Sequence, residues 1–358
     1  MKKSLTLISG FFTLFLFFSF PIEASLPRKP LSFQHLTLKD GLSSEMIYAI
    51  AVQGDRIWFG TYGGGATLYD RATKVWKAYT TKGEPALGVD DGESIKWKNH
   101  LAYNHVSVII PDTDRIWFGT YFYGFGGGGI SYYNPGMNPP WKPLNTNRDR
   151  AKKVVSMAVD GESLWVGSEK GLSLFDKRTE KWTAFYSTRD GLSGNFVNSL
   201  LVQGSFLWIG TNGGITRFDK SKRMWKSYSR KEGLTETEIK SLARMPGPSG
   251  SGDRIWAGGA GGALFEYRSP TDQWMRIESS DPLKDGAVNA LIATRQWMVV
   301  CRDNGVSLYD PSANQWDGLT QSDGLPSSTV FSAAEDKDSI WFGTDKGASR
   351  LLIGQPNR

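Results

Sequence analysis

One phrase recurs along the chain, and recurrence at a fixed period limits the fold more than composition does. "DRIWFGT" stands verbatim at residues 55–61 and 114–120. Weaker copies, "ESLWVGS", "SFLWIGT", "DRIWAGG" and "DSIWFGT", end at residues 168, 211, 259 and 344, and a degenerate "RQWMVV" surrounds Trp297. The seven tryptophans so placed are Trp58, Trp117, Trp165, Trp208, Trp256, Trp297 and Trp341, spaced by 59, 48, 43, 48, 41 and 44 residues. Each copy continues with glycines and an apolar stretch that ends in an aromatic residue and Asp, as at Tyr69-Asp70 and Phe218-Asp219. A second Trp follows (Trp76, Trp141, Trp182, Trp225, Trp274, Trp316), then a turn, often Asp-Gly-Leu as at residues 40–42, 190–192 and 323–325. An alternating apolar run such as 46–52 or 154–159 leads into the next copy.

This grammar reads as four short strands per repeat, separated by Gly, Asp, Asn and Ser turns. No segment shows sustained helical periodicity. Seven four-stranded units of this length predict an all-β chain folded as a seven-bladed β-propeller. A stacked solenoid is the competing all-β arrangement, and the chain ends decide against it. There are seven first tryptophans and six second ones, and the last copy stops after its third strand, at Leu351-Leu352. The missing outer strand is found at the other end. Phe33 stands seven residues before Asp40, as Trp316 stands before Asp323 and Trp225 before Glu232. The segment 31–38 is therefore expected to complete the last blade and close the ring, which leaves no long open sheet edge. On this reading residues 25–358 form a single propeller domain. Of the 14 tryptophans, thirteen occupy repeat positions and are expected to fill the wedges between blades; Trp97 is the exception.

Asp-Gly-Leu-Ser-Ser at 40–44, an apolar strand, "IWFGT" and then "GG…LYD" together resemble the two-component regulator propeller repeat. The resemblance is strongest in the first, fourth and seventh copies. It implies the seven-bladed periplasmic sensor portion of large hybrid histidine kinases, where ligands are often oligosaccharides. The sequence carries no transmembrane segment after the ring, no linking immunoglobulin-like domain and no kinase. What the resemblance implies for this polypeptide is therefore an exported recognition ring, not signal transduction by itself.

Export is also readable at the N-terminus. Lys2 and Lys3 precede an apolar run over residues 5–20, Pro21 breaks it, and Ala24 offers a cleavage site, so residues 1–24 read as a secretory signal peptide. A periplasmic or secreted location follows. Removal of those residues leaves 40 basic and 35 acidic side chains, a net charge of +5 with the signs interspersed. That pattern gives no nucleic-acid footprint. The mature sequence offers no membrane-spanning segment. Its one cysteine, Cys301, allows no internal disulfide.

Two insertions mark blade two. The connection into it expands over residues 81–101, and the turn between its second and third strands expands to "YFYGFGGGG". The latter spells Gly124-x-Gly126-x-x-Gly129, a dinucleotide fingerprint, but a strand ("ISYYN") follows it where that fingerprint needs a helix. In a ring of alternating strands both insertions emerge on one face. Trp97, Tyr103, Tyr121, Phe122, Tyr123 and Phe125 are expected to raise an aromatic wall there for a sugar or another flat apolar surface, with Lys96, Asn104 and His105 adding polar contacts. A second set follows each "WxGT" phrase at the mouth: Tyr62, Tyr121, Glu169, Asn212 and Asp345, with Arg302 and Asp303 after the degenerate copy.

Chemistry is sparse. His35, His100 and His105 show no metal-ligand spacing, Cys301 has no partner, and no Gly-x-Ser-x-Gly elbow exists. Asp90, Asp91 and Glu93 cluster without calcium-loop spacing. No catalytic residue, metal or cofactor is assigned. The leading expectation is a non-enzymatic propeller that binds a small molecule, an oligosaccharide, or an exported or membrane partner protein. The alternatives are a lyase or hydrolase acting on a carbohydrate or lactone-like substrate at the mouth, and a scaffold for a protein complex.

Overall fold

In the computed structural model, which describes residues 31–81, 100–121, 128–144, 151–247 and 252–353, the repeats fold as the spacing predicts. Seven four-stranded antiparallel sheets stand as blades. Blade one runs from its inner strand Ile47–Gln53 through Arg56–Thr61 and Ala66–Asp70 to its outer strand Val75–Tyr79. The remaining blades repeat that order. The last contains Val330–Glu335, Ser339–Thr344 and Gly347–Leu352, and its fourth strand is the N-terminal Phe33–Leu36. Phe33 pairs with Leu351 and Leu36 with Ala348, so the ring is closed by both ends of the described chain.

Seven apolar clusters hold the ring together, one at each interface between blades. Trp58 packs with Val106, Ile109 and Phe118 of blade two. Trp117 packs with Val154, Met157 and Phe175 of blade three, and the series ends with Trp341 against Ile47 and Phe59 of blade one. An indole buries roughly 150–250 Å², which stabilises by roughly 4–6 kcal/mol. The degenerate copy is out of register. Val299 pairs with Leu308 where Trp208 pairs with Arg217, so Val299, not Trp297, holds the repeated tryptophan position. Trp297 lies two residues earlier, yet its ring joins the cluster with Val330 and Phe342 of the last blade.

The Asp-Gly-Leu turns lock neighbouring blades. The Asp40 carboxylate accepts hydrogen bonds from the Thr37 amide and hydroxyl, and Asp190, Glu232 and Asp323 repeat this. The glycine that follows has φ +122° at Gly41 and +117° at Gly324. A Cβ there would stand 2.6 Å from the Trp76 ring or from the Phe33 ring, so only glycine fits. Phe33 thus fills the place of the missing seventh tryptophan.

On the other face, a carboxylate or amide five residues before the first Trp accepts its indole N–H. The pairs are Trp117 to Asp112, Trp165 to Asp160, Trp208 to Gln203 and Trp341 to Asp336. Three of these carboxylates also take a cation from the next blade: Lys177 to Asp112, Lys220 to Asp160 and Arg71 to Asp336. Burial alone would raise the Asp112 pKa, but the Lys177 and Trp117 hydrogen bonds outweigh it and leave it below the usual carboxylate value.

Candidate functional site

The seven inner strands surround a channel of about 730 Å³. Each carries the same irregularity, a register shift that inserts one extra residue directly after a Val or Ile. Such a bulge breaks the alternation of the strand and re-aims a side chain. The residues so released are Tyr48, Ser107, Val155, Asn198, Lys240, Asn289 and Phe331, one from each blade, and all seven line the channel. Three of them tie the ring. The Ser107 hydroxyl donates to Val154 O at 2.6 Å, Asn198 Nδ2 to Ile239 O at 2.9 Å and Asn289 Nδ2 to Val330 O at 3.0 Å. Each bond reaches the carbonyl just before the bulge of the next blade.

The mouth is built by the position after each "WxGT" phrase. The amides of Tyr62, Tyr121, Asn212 and Asp303 donate to the carbonyls of Met46, His105, Phe196 and Ala287, which holds these turns against the starts of the inner strands. Aromatic rings then gather over one arc. Phe331 lies 4.7 Å from Tyr48, Tyr48 lies 6.0 Å from Tyr62, and Tyr62 meets His105 edge-on at 3.9 Å between ring centroids. Tyr103 stacks behind His105 at 5.5 Å. Tyr62 is 40% exposed, whereas Tyr103 and His105 are each 8% exposed. The wall therefore runs over blades seven, one and two, with Tyr121 and Phe196 further round the lining.

Both insertions of blade two are rooted beside this wall. Asn104 Oδ1 accepts the Thr81 amide at 2.8 Å, the Ala102 amide donates to Ser131 Oγ at 2.7 Å, and Tyr121 leads into the second insertion. Lys96, Trp97, Phe122, Tyr123 and Phe125 lie outside the described residues, as do Asp90, Asp91, Glu93 and residues 1–24. Burial lowers the pKa of His100, at the root of the first insertion.

Of the other expected site residues, Tyr62, His105 and Tyr121 line the channel. Asn104 is buried and braces the insertion. Glu169 pairs with Lys153 at 3.1 Å, and that lysine stands 6.0 Å from the Tyr121 ring. Asn212 Oδ1 accepts the Phe196 amide at 3.2 Å. Asp303 and Asp345 sit in their mouth turns without lining the channel. Arg302 does not reach the mouth. It pairs with Gly305 as Thr211 pairs with Gly214, so it occupies the threonine position of the phrase, one residue earlier than the sequence suggested. Its guanidinium is fully buried and donates to Asp281 Oδ2 at 2.7 Å, to Gly286 O at 2.6 Å, to Gly262 O at 3.1 Å and to Ser307 Oγ at 3.0 Å. Beside it Cys301 takes the glycine position, and burial pushes its thiol pKa up, away from thiolate chemistry.

Sequence reasoning missed Tyr48, Asn198, Lys240, Asn289, Phe196 and Phe331. A signal existed for the bulge residues. In every inner strand the position after a conserved-looking apolar Val or Ile changes type freely, from Ser to Lys to Phe. Among the described lining residues there is no carboxylate, and Lys240 is the sole residue with a permanent charge. Among the described residues no three His, Cys, Asp or Glu side chains gather as a metal-binding group.

Residues 324–346, from Gly324 of the turn through the first two strands of the last blade, match the two component regulator propeller family. The match covers one repeat of the ring. Solved structures agree on the ring that such repeats build. The chain aligns over 91% of its length with 42% of the extracellular domain of a B. thetaiotaomicron protein described as a hybrid two component system, BT3049, at TM-score 0.72 and 17% identity. A second extracellular domain from B. thetaiotaomicron, BT4673, aligns at TM-score 0.68 and 19% identity over 92% of this chain and 40% of that one. The chain thus spans about two fifths of these structures. A computationally designed protein, Ika8, aligns over 87% of this chain and 97% of its own length at TM-score 0.57 and 14% identity. No curated protein matches the chain. Among the described residues no helix is long and apolar enough to cross a membrane.

Proposed function

We propose that this two component regulator propeller is an exported recognition module that binds an oligosaccharide at the channel mouth, as the sensing part of an extracellular signalling system. One observation carries the reading. Rings from three successive blades, Phe331, Tyr48, Tyr62 and His105, form a continuous wall over a channel whose remaining lining offers amide, hydroxyl and amine groups. A sugar ring presents an apolar C–H face for such a wall and hydroxyls for such an edge, and a few placed polar groups in an otherwise apolar cavity are what a ligand pocket needs. The neighbours described as extracellular domains of two component systems support the sensing role, and the basic-then-apolar N-terminus supports export. The described lining holds no carboxylate, so it lacks the carboxylate pair that glycoside hydrolysis generally uses, which favours binding over that chemistry.

Titration of the purified protein with a panel of neutral and acidic oligosaccharides, followed by tryptophan fluorescence or calorimetry, tests this. Tyr48→Ala combined with Tyr62→Ala is expected to weaken the tightest sugar by about 10–100-fold, since each lost stacking face is worth roughly 0.7–1.4 kcal/mol. Unchanged affinity in that variant, or no sugar bound by the parent, would count against the reading.

A further inference from the structure

The two halves of the channel differ in a way that restricts what it takes. We infer that Lys240 selects an anionic ligand, so that the sugar held at the mouth is one bearing a carboxylate such as a uronic acid; this rests on the reading of the mouth as an oligosaccharide site.

At the level of the bulges, blades four, five and six present Asn198, Lys240 and Asn289 in succession. In a ring of seven, blade five lies across from blades one and two, which carry Tyr48, Tyr62 and His105. A sugar lying on the aromatic wall therefore turns its far edge toward the lysine. No carboxylate among the described lining residues offsets that charge. A single sign of charge in an apolar-walled cleft focuses its field along the cleft and raises the local concentration of the opposite ion. The amides on either side each spend one N–H on a neighbouring carbonyl, which fixes the planes from which the remaining polar atoms face the channel.

Lys240 has one partner outside the lining, Glu238, whose Oε1 is 2.5 Å from its Nζ. The two side chains are 38% and 50% exposed, and ion pairs of that exposure contribute little. A ligand carboxylate can thus replace Glu238 at small cost, while a neutral ligand gains nothing from displacing it. Glu238 also sits at the rim as a competing anion, which makes its removal informative.

The probes are trigalacturonate and triglucuronate with their methyl esters, titrated at low salt against the parent, Lys240→Met and Glu238→Gln. The parent is expected to bind an acid at least tenfold more tightly than its ester, and this preference is expected to shrink at high salt. Lys240→Met should abolish the preference while leaving the ester affinity within about twofold. Glu238→Gln should increase the preference, and its intact fold separates charge effects from damage to the strand. Equal binding of acid and ester by the parent, or a preference that survives in Lys240→Met, would overturn the inference and leave the oligosaccharide reading standing. Binding of neither form would overturn the inference, and the oligosaccharide reading falls with it only where no sugar of the wider panel binds the parent.

Discussion

A chain that begins at residue 41 is expected to lose the closed ring, and with it more stability than any single substitution removes. The deleted strand Phe33–Leu36 pairs with Gly347–Leu352, and without it that strand becomes an open edge. Leu36 is buried, Phe33 packs under Gly324, and losing these two side chains alone costs about 3–6 kcal/mol. The exposed edge adds a route to aggregation. The same residues moved to the other end should restore the fold. The Leu352 amide donates to Ser32 O at 3.0 Å, so a short hairpin joining Ile353 to Leu31 would let the last blade form from continuous chain. Calorimetry and size-exclusion chromatography of the deletion and of this permutant provide the check. A deletion that melts like the parent would show that the N-terminal strand does not close the ring.

The second large effect is expected at Arg302 and Asp281. Both side chains are fully buried, and the guanidinium bridges the fifth blade, the connection after it and the sixth blade through Gly262, Gly286, Asp281 and Ser307. Removal of one partner leaves an uncompensated charge without water. Asp281→Ala is therefore expected to cost about 3–5 kcal/mol in denaturant unfolding. Replacing both partners by apolar residues, Arg302→Met with Asp281→Leu, should recover most of that loss, because the desolvation of both ions disappears with their attraction. If the double variant is as unstable as the single one, the backbone bonds of Arg302, rather than its charge, hold the segment.

The ring itself was legible because its determinants are local and repeated: an indole for each interface, a Gly-Leu turn against the outer aromatics Trp76, Trp225 and Phe33, and Phe33 at the spacing of the absent seventh tryptophan. The degenerate blade was misread because the sequence draws attention to Trp297, whereas register follows the turn before Gly305 and places Val299 and Arg302 two and one positions from where the phrase suggested. The site was legible only in part. Tyr62, His105 and Tyr121 announced themselves as aromatic or polar residues at turns of the mouth. Tyr48, Lys240 and Phe331 did not, because an alternating strand predicts where its side chains point and a bulge cancels that alternation after one residue. Asn104 looked available and is in fact consumed by the Thr81 amide. The cross-blade clamps were hidden for another reason: Asp112 and Lys177 are separated by 65 positions, and only the ring brings them together.

The most direct test of the account is a crystal structure of the protein with the tightest oligosaccharide found in the titrations. The account predicts a sugar ring lying on Tyr48 and Tyr62, with its opposite edge directed at Lys240. A sugar bound on the outer strands or on the opposite face, with those three side chains unengaged, would contradict it.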